Sequence, residues 1–213
     1  TTTINAGNLT ISGGSAIADT GTVTLANTAG VNFNVNASET IASLQGGGAN
    51  GGNVTIASGQ TLTVAEANTN TFSGSLQGSG NFIKSGAGTL TLNGANTNSG
   101  AVSVTGGTVL LSGASALSGS TSLLSAASGT TISLADGVGR TITLSNGNLS
   151  LSSATMVFEL GSTSDRLTLT NGLATLSGTN TISLANLGSF TAGNYTLISA
   201  ASGLNGGTWS LNS

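Results

Sequence analysis

The chain of 213 residues has no cysteine, no proline and no histidine, and carries only nine charges, three on Lys or Arg and six on Asp or Glu. Each absence excludes something. Without imidazole there is no histidine base and no histidine-bound zinc. Without thiols there is neither a disulfide nor a cysteine nucleophile. Three basic residues cannot cover a phosphate backbone, so nucleic acid is not an expected partner. No apolar run approaches the roughly 18 residues that a membrane helix needs, so a membrane-spanning helix is not expected. The opening TTTINAGNLT lacks the basic and apolar regions of a secretion signal. Charged residues make up 4% of the chain, against about one quarter in ordinary soluble domains.

What remains is mostly Gly, Thr, Ser and Asn, which together exceed half the chain. Leu, Ile, Val and Phe supply just under a quarter. Disordered chains pair low hydrophobicity with high net charge, and a formal charge of −3 fits neither side of that description. Absence of cysteine suits a secreted or bacterial cell-surface protein. Scarce charge leaves little repulsion between copies, so self-association is an expected property.

Short alternating runs dominate, for example NLTIS at 8–12, TVTLAN at 22–27, NVTIA at 53–57 and TLTLN at 89–93, each followed by a Gly, Asn or Ser turn. Alternation of Leu, Ile or Val with Thr or Ser predicts strands with one buried face. The best helix candidate, 113–127, is too rich in Gly and Ser to predict one. Thr-x-Thr units begin at Thr61, Thr89, Thr141 and Thr168, and their spacing suggests a rung of about 27 residues. The expectation is an all-β parallel β-solenoid, a single domain over 1–213, with about three short strands per coil and roughly seven to eight coils. Proline would break ladders in which each strand N–H serves the adjacent coil. Polar, uncharged surface residues avoid stacking like charges in register.

Residues 78–100 read GSGNFIKSGAGTLTLNGANTNSG. This stretch, extended to 78–113 as the best-matching repeat, resembles the autotransporter-associated β-strand repeat, also called the passenger-associated transport repeat. Gly78, Gly80, Lys84, Gly86, Gly88, Thr89, Leu90, Leu92, Gly94, Asn96 and Gly100 carry the match. Ala116, Leu117 and Gly119 resemble the loop that follows in that family. Ala101-Val102 departs from the usual Gly-Thr. The resemblance implies a right-handed parallel β-helix at a bacterial surface or in the extracellular space, and no particular activity.

Chemistry-bearing residues are few. Asp136, Arg140, Asp165 and Arg166 form the sole constellation that could cleave a polysaccharide, with the two acids about one coil apart. The simpler expectation is that Asp136 and Asp165 cap turns and pair with Arg140 and Arg166. Lys84 is expected to lay its stem on apolar surface with the ammonium in solvent. The stretch 45–52, QGGGANGG, lacks the Lys-Ser/Thr of a phosphate loop and reads as a corner. Tyr195 and Trp209 could stack on sugars but are better explained as packing of the last coil. A Thr row could order ice, but one coil after Thr89 it is expected to break near Ser115. No catalytic, cofactor or metal residue is assigned. The expectation is a non-enzymatic extracellular stalk or adhesive module, able to join copies through its ends, with recognition of a glycan or host surface as the alternative.

Overall fold

The computed structural model describes residues 1–113, 117, 121–189 and 192–212. Among the described residues, twenty-four strands pair in parallel only, in four sheets. Parallel neighbours cannot be joined by a hairpin. Each strand here instead meets its partner after the chain has travelled round two further sides. The chain thereby winds into a β-solenoid of about eight turns.

Three faces result. The longest holds ten strands, from Thr2–Ile4 through Thr89–Leu92 to Thr208–Asn212. The second begins as four strands, Asn8–Ile11, Asn32–Val35, Asn53–Ile56 and Leu76–Gly78. It resumes as three strands starting with Thr141–Leu144. The third face has seven strands, from Glu39–Ile41 to Ala174–Ser177. The expected all-β parallel solenoid is therefore what forms. Of the disfavoured helix candidate at 113–127, residues 114–116 and 118–120 lie outside the described residues, and Leu123–Ala126 is a strand. Ala116 and Gly119 of the family-like loop also lie outside them.

The 27-residue rung does not hold. Thr89 stacks on Thr108, a step of 19 residues, whereas Thr179 stacks on Thr208, a step of 29. The Thr-x-Thr units that suggested 27 lie on different faces: Thr61 on the third, Thr89 on the longest, Thr141 and Thr168 on the second. Outward Thr at every second position suits any exposed strand, so the motif marks strands without marking which side of the rod they occupy.

Inside, one continuous apolar cluster runs from Ile4 to Leu176. Period-two alternation supplies it: Val23 and Leu25, Phe33 and Val35, Leu90 and Leu92 point inward while their neighbours face out. Phe33, Phe72, Phe82 and Phe158 fill the interior with no exposed surface. Glycines allow the coils to close at the corners. A Cβ on Gly94 would overlap the Gly74 carbonyl, and one on Gly100 would overlap that of Gly80. The repeat's glycines thus stand where backbone meets backbone.

Candidate functional site

Lys84 is not at the surface. It lies on the strand Asn81–Ser85 opposite Val64 in one neighbouring coil and Val104 in the other. Both valines are core residues, and Lys84 shares their inward direction and has 0% exposure. Its Nζ donates to the carbonyls of Ser85, Gly86 and Gly106, each at 2.9 Å. The expectation of a solvated ammonium is therefore corrected: the chain turns sharply at Gly86, with φ +77°, and leaves corner carbonyls facing inward that need a donor. Burial pushes the Lys84 ammonium pKa down, and the charge of Glu66 opposes that shift. A signal was present in the sequence, since alternation puts Lys84 on the side of Phe82.

Glu66 is equally enclosed, 1% exposed. Its carboxylate accepts from the Ser43 hydroxyl at 2.6 Å, the Asn70 amide at 2.9 Å and the Asn68 N–H at 3.2 Å. Asn180 serves the same purpose further along, accepting from Ala154 N–H at 3.0 Å and donating to Ser177 O at 3.3 Å. These residues line the corner between the third and longest faces, and they satisfy the backbone groups exposed where the ladder bends.

The expected acid constellation forms only in part. Asp136 pairs with Arg140 at 2.8 Å. Asp165 does not pair with Arg166, whose Nε donates to the Thr196 carbonyl at 3.2 Å. Asp165 is instead fully buried, accepting from the N–H groups of Glu159 at 2.7 Å and Arg140 at 3.1 Å. Glu159, which sequence spacing alone did not single out, accepts from Gly137 N–H at 2.8 Å. Burial pushes the Asp165 carboxyl up to about 6, against the two backbone hydrogen bonds and with the help of the charges on Glu159 and Asp136. All three carboxylates hold backbone N–H groups of neighbouring turns, so the geometry is that of a polar corner clamp.

The threonine row is longer than expected. Thr69, Thr89, Thr108, Thr131, Thr155 and Thr181 stack in register, followed by Ser210. The coil after Thr89 brings Thr108 into line, not Ser115, which corrects the expected break; Ser115 itself lies outside the described residues. The parallel row beside it is mixed, with Thr71, Thr91, Leu110, Ser133, Val157 and Ser183. The continuous hydroxyl row is thus one residue wide. At the far end, Trp209 packs against the core and donates Nε1–H to Leu204 O at 3.2 Å. Tyr195 lines the same apolar hollow as Trp209, with Ile182 and Leu197. Of residues 45–52, Gln45 and Gly46 end the strand Ser43–Gly46 and 47–52 form a corner, closed by an antiparallel bridge between Gly48 and Gly51.

Residues 82–111 match the passenger-associated-transport-repeat family. That stretch is similar to a passenger-associated transport repeat. The repeat spans Lys84 and the glycines at 86, 88, 94, 100, 106 and 107, the positions at which coils touch or turn. The chain is also 38% identical over 110 residues to the adhesin BmaC autotransporter of Brucella suis biovar 1 (strain 1330). The aligned part is 50% of this chain and 3% of that much longer protein. No solved structure matches. Among the described residues, no helix is long and apolar enough to cross a membrane, and no group of three or more His, Cys, Asp or Glu is placed to hold a metal ion.

Proposed function

We propose that the chain is a non-enzymatic adhesive module of the passenger type, displayed outside the cell. The observation that carries this reading is its likeness to an adhesin over half its length, in a solenoid whose interior carboxylates are engaged by its own backbone. A rod of this kind presents lateral surface in proportion to its length and holds ligand-facing residues on rigid strands. The test is adhesion of beads coated with the whole chain to cultured epithelial cells. Saturable binding above albumin-coated beads is expected, and binding no greater than albumin to every cell type tried would reject the reading.

Self-association through the ends is the second part of the proposal. Thr208–Asn212 is an edge strand of the longest face, with Leu211 66% exposed. Pairing of this edge with Thr2–Ile4 of another copy would continue the parallel ladder. Electron microscopy of concentrated protein should then show filaments; monodisperse monomers at all concentrations and salts would count against it.

A further inference from the structure

The corner between the longest and second faces changes length along the rod. Six residues, 26–31 and 47–52, separate Thr22–Leu25 from Asn32–Val35 and Ser43–Gly46 from Asn53–Ile56. Only three, 73–75, separate Thr69–Phe72 from Leu76–Gly78. The longer corner is pinned in place, with Asn50 N–H donating to Asn27 Oδ1 at 2.9 Å. Where six residues give way to three, an open groove of about 570 Å³ lies against Gly48 and Ala49.

The polar lining of this groove is Asn53, Ser73, Ser75, Gln77 and Asn93, and none of the nine charges lines it. Asn53 Oδ1 accepts from Ser75 N–H at 3.0 Å, and Asn93 Oδ1 accepts from the Ser112 hydroxyl at 3.2 Å. Those bonds fix both amides by their oxygen ends. The two amide nitrogens have no acceptor among the described residues, and the side chains of Gln77 and Ser73 make no hydrogen bond there either. Gln77 also ends an outward row of hydrogen-bonding groups on the second face, formed with Thr10, Asn34 and Thr55.

We propose that this groove binds an uncharged, hydroxyl-rich saccharide, a proposal that deepens the adhesive reading above and rests on it. Amide N–H groups fixed in direction match sugar hydroxyl oxygens, and the free Gln77 amide can donate and accept at once. The absence of Lys and Arg from the lining offers nothing to a sialylated or sulfated glycan. Glycine and alanine walls let a pyranose ring approach the backbone. With no aromatic platform in the lining each ring is held weakly, so the occupant is a chain of sugars that reaches from the groove along the Gln77 row and gains by repeated contact.

The test is an NMR titration of the ¹⁵N-labelled full chain with cellohexaose, maltohexaose and mannohexaose, and with 3′-sialyllactose and a heparin hexasaccharide. At least one neutral hexasaccharide is expected to shift the amides of Gly48, Ala49, Gln77 and Ala95, and the charged sugars are not. Gln77→Ala should weaken that binding at least threefold and Ala49→Trp should block it, whereas Thr175→Ala on the third face should leave it unchanged. Absence of groove shifts with every neutral probe, equal shifts with the charged ones, or unchanged binding by Gln77→Ala and Ala49→Trp would each overturn the proposal. Bead adhesion of Ala49→Trp separates the two readings. If it persists at the level of the parent chain, the module is adhesive and this groove is not its site. If the parent groove binds sugar but no beads adhere, the site stands and the adhesive reading fails.

Discussion

Lys84 and Asp165 show how a chain with nine charges places some of them. Each occupies an inward position at a corner, where a solenoid's backbone bends away from its ladder and strands polar groups inside. Replacing Lys84 by Met keeps the volume and leaves the carbonyls of Ser85, Gly86 and Gly106 without their shared donor. The expected loss is roughly 2–4 kcal/mol of unfolding free energy, from lost charge-assisted bonds and orphaned acceptors, measured by guanidinium denaturation. For Asp165 the sign runs the other way from a typical buried ion pair. Its folded pKa of about 6 lies above the usual carboxylate value of 3.8, so the folded state binds more protons between those limits. Its contribution to stability is full below pH 3.8 and is lost as pH rises through 6. The parent chain should gain on the order of 2 kcal/mol relative to Asp165→Asn on going from pH 7 to pH 4. Denaturation midpoints of the two proteins that run parallel across that range would refute it.

Between coils, the decisive elements are corners. Gly74 and Gly94 stack so closely that any side chain on Gly94 would meet the Gly74 carbonyl, and the neighbouring backbone is itself held in the ladder by Ser73 N–H donating to Gly46 O at 2.8 Å. Gly94→Ala should therefore cost about 1–3 kcal/mol through forced separation of two turns. Ala49→Gly, at an exposed corner position, should change stability by less than about 0.5 kcal/mol. Thermal unfolding of the pair checks the contrast. Strand identity was readable from alternation in TVTL, NVTI and TLTL, because one buried face is enough to impose period two. Corner length was not readable: 26–31, 47–52 and 73–75 are all Gly, Ser, Thr, Ala, Asn or Val, and composition does not say how many such residues a turn will use. That is why Thr-x-Thr spacing suggests a uniform 27-residue rung where steps of 19 to 31 occur, and why the groove beside Gly48 and Ala49 has no sequence signature.

At the scale of the rod, stability rests on a continuous apolar interior and stacked backbone, with Arg140–Asp136 the one ion pair among the described residues. Raising NaCl from 0.05 to 0.5 M should shift the unfolding free energy by less than about 1 kcal/mol, since screening acts on surface pairs worth no more than that. A larger loss in salt would show that exposed charges contribute more to stability than the single ion pair implies.

The resemblance of 78–113 to a passenger-associated transport repeat implied the parallel helix, whereas composition and alternation by themselves established short strands with one buried face and the lack of histidine and thiol chemistry. Those properties depend on which residues are present and on a two-residue period, both of which are local. Folding decided which strands share a face, so that Thr69, Thr89 and Thr108 fall in line while Thr61 does not. It also decided that Lys84 faces three carbonyls instead of water, and that Asp165 meets Glu159 and Arg140 instead of Arg166. These outcomes depend on the length of each corner, which sets how far one coil is rotated or advanced on the next, and no two-residue pattern encodes that length.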